Sequence, residues 1–406
     1  MASKKTPTST APVSKLDSYL ARLHKLGRVV DRKVDIHRRD NVIRIGSPSC
    51  DYIWGNGHGL PRGLSAVFYG PPKSGKSVAS YFMIGDVHKR HPEAIVIKFD
   101  TEMRDHAQLG PVEMVAYGID DKRLITYQTA SPGEIFDRIR TDIAALVQEG
   151  ADIHMIVIDS VNGILGLKSE QQETVADAAK QIGDNARTHG EGFKAILQTL
   201  RDQNITLVGT AQVRSQMDQA AQMRGEKIKM AAAFQLQHFF EYFIEATPAL
   251  TKKQRTFGGT ELNRKLEKED TGLASKEAFG KRLSLTVKGS TVGPEGRTGV
   301  MVYHPKIGML YQAQELFAIA SADWVQTLKP NETKKLYTFG DRSLSPKEWI
   351  EELKHDKVLF DQIVEKMYEE DRERQRRPPD IDEDDAEALT TILATQKVAE
   401  GFAAEA

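Results

Sequence analysis

The chain is poor in the features that mark secreted, membrane or metal-built proteins. It has one cysteine, Cys50, in 406 residues. A single thiol cannot form an internal disulfide framework and is consistent with a reducing cytoplasm. No apolar run approaches the ~20 residues that cross a bilayer, so no membrane span is expected. Residues 1–14 are basic and rich in Ser, Thr and Pro, without the apolar stretch of a secretory leader, and read as a disordered arm. The 11 histidines are scattered without ligand spacing, which predicts no zinc site. A net charge of −1 excludes a wholly basic nucleic-acid coat, though local patches remain open because field follows distribution. No repeat of solenoid period is present.

Two local charge patches stand out. Residues 22–44 carry Arg22, Lys25, Arg28, Arg32, Lys33, Arg38, Arg39 and Arg44, whereas 380–387 read DIDEDDAE. A basic head and an acidic tail can attract each other or neighbouring subunits. Leu16, Leu20, Leu23 and Leu26 form a helical stripe with little nearby sequence to cover it, so it is expected to pack on another surface, such as a neighbouring chain.

From 64 to 212, apolar strand-like runs alternate with helical segments. LSAVFYG (64–70) precedes a helix over 76–90, and AIVIKFD (94–100) precedes one over 133–149. IHMIVIDS (153–160) is the clearest buried strand, followed by a long helix near 176–202 and ITLVGTAQ (205–212). This alternation predicts an α/β fold: a mostly parallel sheet with helices on both faces. YFIEA (242–246), RLSLTV (282–287) and GVMVYH (299–304) are expected to extend the sheet with antiparallel strands, around a polar excursion at 250–280. From 313 to 370 the text predicts a small, mostly helical domain with Trp324 and Trp349 in its core, and 371–406 a charged, largely disordered tail.

Gly70-Pro71-Pro72-Lys73-Ser74-Gly75-Lys76-Ser77 fits G-x-x-x-x-G-K-[ST], with a strand before it and a helix, entered through Val78, after it. Glycines let backbone N–H groups turn towards a triphosphate, and the helix start adds positive potential. Lys76 reaches the β- and γ-phosphates, and the Ser77 hydroxyl ligates Mg²⁺. Asp159 ends a buried parallel strand, where it either holds Mg²⁺ through water or caps a turn. Glu102, in KFDTEMRD, is a candidate general base, with Asp100 competing for the role and an ordinary solvated carboxylate as the alternative. Residues 213–232 mix Arg214, Arg224, Lys227 and Lys229 with Met217 and Met223. Cations suit phosphates and slender apolar groups can wedge between bases, but spacing alone also fits a solvated loop.

The ordered set RIGSPSCDYIWGNGHGLPRGLSAVFYGPPKSGKS, FDTE, VIDSV and LVGTAQVRSQ resembles the RecA-type recombinases. The layout and acidic tail are most similar to the UvsX-type branch of large bacteriophages. The resemblance implies a RecA-like ATPase core at 46–312, a subunit-docking segment at 15–45 and a small C-terminal domain. It implies ATP and Mg²⁺ as cofactors, Glu102 as the catalytic glutamate and Gln212 as the γ-phosphate sensor at the mouth of the 213–232 DNA loop. A first DNA loop would lie near 164–180, with Lys168. It also implies DNA-stimulated ATP hydrolysis and helical homo-oligomeric filaments on single-stranded DNA. Pairing with double-stranded DNA, single-strand-binding and mediator proteins as partners, and a host cytoplasm location complete the picture. Family members often place two cations, two positions apart, against the neighbouring subunit's ATP. Here Lys288 is present and Ser290 takes the second place, so either Lys288 acts alone or Lys281, Arg282 or Arg297 substitutes. Position 106, often acidic in the family, is His106. Two rival readings are a ring-forming helicase with the same core and a non-catalytic, nucleotide-gated filament or mediator.

Overall fold

The computed structural model describes residues 41–55, 57–167, 184–215, 228–230, 238–248, 256–257, 260–261 and 280–376. The expected arm, the docking segment up to residue 40, most of both expected DNA loops and the chain from 377 lie outside these residues.

A short pair, β1 (Val42–Ile43) and β2 (Leu60–Pro61), flanks helix α1 (Pro48–Tyr52). Then β3 (Ser65–Gly70), α2 (Lys76–Arg90), β4 (Ile95–Asp100), α3 (Asp105–Gln108), α4 (Pro111–Tyr117) and β5 (Leu124–Tyr127) follow. Helix α5 (Pro132–Arg138) runs through a π-helical turn into α6 (Ala144–Gln148) and leads to β6 (Ile153–Asp159). Next come α7 (Asp184–Asp202), β7 (Thr206–Ser215), β8 (Ile228–Met230) and β9 (Tyr242–Pro248). A two-strand hairpin, β10 (Thr256–Phe257) with β11 (Thr260–Glu261), precedes β12 (Lys281–Ser290), β13 (Thr298–His304) and β14 (Gly308–Leu310).

Nine of these strands lie side by side in the order β14-β13-β12-β9-β3-β7-β6-β4-β5, and β8 pairs with β7. The run from β9 to β5 is parallel, and β12, β13 and β14 are antiparallel additions. This is the α/β architecture that the alternating strands and helices predict. One direction differs: β9 lies parallel to β3, not antiparallel as expected for 242–246. The chain re-enters beside β3 in the same sense and reverses only at β12.

Alternation builds the two cores. Phe68, Val96, Met155 and Val157 point to the face covered by α2, with Met83, Ile84 and Val87. Val67, Ile97, Phe99, Ile156 and Ile158 point to the other face, against Ile135, Ile139, Phe193 and Ile196. A strand covered on both faces needs apolar residues at every position, which is why these segments read as continuous apolar runs.

The remaining residues form α8 (Gln312–Ala320), a small sheet of β15 (Lys329–Pro330), β16 (Tyr337–Phe339) and β17 (Arg342–Leu344), then α9 (Pro346–His355) and α10 (Lys357–Arg376). Ser345 and Glu348 close α9 with a reciprocal capping box. The three-stranded sheet was not anticipated, because strands this short leave no period to read. Trp349 is fully buried and donates its indole N–H to the Tyr337 carbonyl at 2.8 Å. Trp324 departs from expectation: it is 47% exposed and packs edge-on to Tyr52. Helix α10 continues to Arg376, so the tail expected from 371 does not begin there, and Asp371 is buried.

Candidate nucleotide site

The site forms where β3, β4 and β6 end beside Gln212 of β7 at the same edge of the sheet, the place where such folds bind ligands. The loop from Gly70 to Gly75 connects β3 to α2. A Cβ on Gly70 would lie 2.2 Å from the Ala246 carbonyl oxygen, so the backbone of β9 excludes any side chain there. Gly75 caps α2 at φ +91°, a left-handed conformation that favours glycine. No side chain caps α2, leaving its first N–H groups facing the loop. Pro72 and Lys73 are exposed, while Pro71 and Val78 are half-buried. Ser74 keeps a buried hydroxyl without a partner.

Lys76 folds back over the loop, donating to the carbonyls of Gly70 (3.0 Å) and Pro71 (2.9 Å). Burial pulls its ammonium below the ordinary lysine range, opposed by the negative charges of Asp159 and Glu102. An uncapped helix start, an unpartnered buried hydroxyl and a lysine resting on its own loop's carbonyls fit a polyanion. Ser77 opens α2 beside Lys76, where a hydroxyl can ligate a cation held by that anion.

The carboxylates are individually held. Asp159 Oδ1 accepts the Thr210 hydroxyl, and Oδ2 lies 3.4 Å from Lys98 Nζ. Asp100 accepts the Asp105 backbone N–H at 2.8 Å and is almost wholly buried, which removes it as a rival for a water-facing base. Glu102 Oε1 accepts from the Ser160 hydroxyl and the Gln212 amide, both at 2.8 Å, and Oε2 pairs with Arg104 at 2.9 Å. Ser160 is itself tied to Thr101 through two hydrogen bonds, 2.7 and 2.8 Å long. Gln212 also gives its backbone N–H to Asn162 Oδ1 at 2.6 Å.

Beyond Gln212, β7 pairs antiparallel with β8, which sets Arg214 opposite Lys229. Arg224, Lys227 and Lys168 lie outside the described residues. Lys288 pairs with Glu245 at 3.2 Å and is half exposed. The Ser290 hydroxyl accepts the N–H groups of Val292 and Gly293, so it serves the hairpin turn. Arg297 makes two 2.8 Å contacts with Asp371, which removes it as a substitute cation. His106 meets Gln128 at 3.4 Å.

Lys98, Thr210, Ser160, Asn162 and Arg104 escaped the sequence reading. Only Lys98 left a signal: a charge inside the buried run IVIKFD.

Residues 21–237 match the RecA N-terminal domain family. The chain belongs to the RecA family. Its similarity to Protein RecA of Nitratidesulfovibrio vulgaris is 28% identity over 197 residues, covering 48% of this chain and 51% of that protein. Protein RecA of Clostridioides difficile is 30% identical over 193 residues, 48% of this chain and 49% of that one. Protein RecA of Helicobacter pylori is 28% identical over 189 residues, with 47% and 49% covered. The chain spans about half the length of these curated relatives. The matched stretch contains the phosphate loop, Glu102, Asp159 and Gln212 and ends before β9.

Proposed function

We propose that this RecA-family chain is an ATP-dependent DNA recombinase, of the UvsX-type branch, that assembles as a helical filament on single-stranded DNA and promotes pairing and strand exchange. The observation that carries the reading is the 2.8 Å hydrogen bond from Gln212 to Glu102, made by the same strand that continues into the Arg214–Lys229 hairpin. Strand β7 thus joins a candidate base to the candidate DNA loop.

Bound ATP with Mg²⁺ supplies a transferable γ-phosphoryl group and the cation that offsets its charge. Lys76 and the loop N–H groups orient the phosphates, and Ser77 and Asp159 hold the cation. Glu102 accepts the proton of the attacking water. Gln212 moves between Glu102 and the phosphate end, and that choice sets the conformation of the residues following β7. The loop cations then grip the DNA backbone, leaving sequence readout to base pairing. Lys288 is the candidate cation offered to a neighbouring subunit. Residues 15–45 dock that neighbour, and the segment from 313 forms the small C-terminal domain.

Hydrolysis measured with and without single-stranded DNA tests the reading. Wild type should be stimulated, and Glu102→Ala should lose about 10²- to 10⁴-fold of the stimulated rate. Equal, near-zero rates for both proteins would establish the non-catalytic filament instead.

A further inference from the structure

Lys98 lies at the centre of β4, between Val157 of β6 and Thr126 of β5, and has no solvent exposure. Its ammonium donates to the Asp105 carboxylate and to Tyr81 Oη at 3.2 Å, and lies 4.6 Å from the Tyr81 ring centre. Tyr81 in turn donates to Asp105 Oδ1 at 3.0 Å. The remaining partner is Asp159 Oδ2, at 3.4 Å. One buried cation therefore stands between two carboxylates, one of them at the edge of the nucleotide site.

Burying a lysine costs several kcal/mol unless its charge is well matched, so a bare structural role is better filled by an aliphatic residue. Asp105 alone would satisfy the charge. The contact with Asp159 is the one such a role leaves unexplained. Asp159 has two oxygens, and each has an outside anchor: Oδ1 on Thr210 and Oδ2 on Lys98. A carboxylate hydrogen-bonded at one oxygen and ion-paired at the other is restrained in its rotation, and its charge is partly offset from behind.

We infer that Lys98 is a positioning residue for the cation carboxylate: it locks Asp159 from beneath the sheet edge and so sets how readily the site takes up Mg²⁺ with its nucleotide. The inference rests on the nucleotide-site reading above and adds a determinant of its metal affinity. Groups that orient a ligating carboxylate typically change metal affinity 10- to 100-fold when removed. Tyr81, on the same helix as Lys76 and Ser77, ties that helix to the same cluster.

The competing explanation is that Lys98 exists only to neutralise Asp105. Two variants separate the two roles. Lys98→Met leaves Asp105 unpaired and can fail to fold. Lys98→Met combined with Asp105→Leu removes the pair together, keeps the volume apolar and leaves Asp159 in place. The readout is binding of a fluorescent N-methylanthraniloyl ATP analogue, without turnover, as Mg²⁺ is titrated from an EDTA-treated start. The expected result is a double variant with wild-type helix content and wild-type metal-free nucleotide affinity, but a Mg²⁺ half-saturation raised about tenfold. A double variant with a wild-type Mg²⁺ response overturns the inference and leaves the nucleotide reading standing. A wild type that binds no analogue at any Mg²⁺ concentration overturns both.

Discussion

The Gln212 side-chain amide donates to Glu102 Oε1 across 2.8 Å, joining β7 to the turn after β4. The same oxygen is also held by Ser160, and the other by Arg104. Glu102 is thus occupied on both oxygens while Lys76 rests on the carbonyls of Gly70 and Pro71. On the proposed reading, a γ-phosphate arriving at the loop would compete for Lys76 and for Gln212 together. Gln212→Ala should keep ATP-analogue binding within a few-fold of wild type while abolishing the gain in single-stranded DNA affinity that the analogue confers. Fluorescence anisotropy of a labelled oligonucleotide, with and without the analogue, measures this. A variant whose DNA affinity still responds fully to nucleotide would show that Gln212 is not the link.

Asp371 gathers the last described helix onto the core. Its carboxylate accepts two hydrogen bonds from Arg297, one from His58 at 3.0 Å, one from Tyr52 at 3.2 Å and one from Gln375 at 2.6 Å. Its side chain is 1% exposed. Removing one partner of a buried pair leaves the other charge uncompensated, at a cost of about 3–5 kcal/mol. Asp371→Asn should lower the thermal midpoint by several degrees. Arg297→Met combined with Asp371→Leu should recover much of the loss. Unchanged midpoints in the single variant would mean that α10 is held by its apolar contacts and its other hydrogen bonds, those of Tyr368 and Arg374 among them.

His88 offers a pH test with a definite sign. Its Nδ1 accepts the Asp120 backbone N–H at 3.0 Å, a bond only the unprotonated nitrogen can accept. Burial, helped by the nearby Arg123 charge, lowers its pKa from 6.5 to about 4. The unfolded chain therefore binds this proton first as pH falls. The stabilisation is fully present above about pH 6.5 and is lost progressively towards pH 4. His88→Asn keeps an acceptor that does not titrate there. The difference in thermal midpoint between wild type and variant should be constant from pH 8 to 6.5 and shift in the variant's favour below that. A difference that stays flat down to pH 4.5 would contradict the assignment.

The parts of this protein that were legible in the sequence are those governed by local rules. The phosphate loop shows itself through its glycines, and β3, β4 and β6 through unbroken apolar runs. The strand-end positions of Glu102 and Asp159 were legible in the same way, whereas the role of Glu102 was singled out only by the family resemblance. The parts that were not legible depend on which distant residues meet. Arg297 reads as a spare cation until Asp371, 74 residues on, is seen to hold it. Trp324 reads as core from its aliphatic neighbours, yet its ring lies on the rim against Tyr52. β9 shows its strand character in sequence but not its direction, which is set by the path taken after β7.

The central proposal is nucleotide control of DNA grip through the β7 strand. Electron microscopy of the purified chain with single-stranded DNA, with and without a non-hydrolysable ATP analogue, tests this most directly. Regular helical filaments on DNA are expected with the analogue and Mg²⁺, and sparse or absent binding without it. Equal coating of DNA in both conditions, or closed rings that never extend, would contradict it.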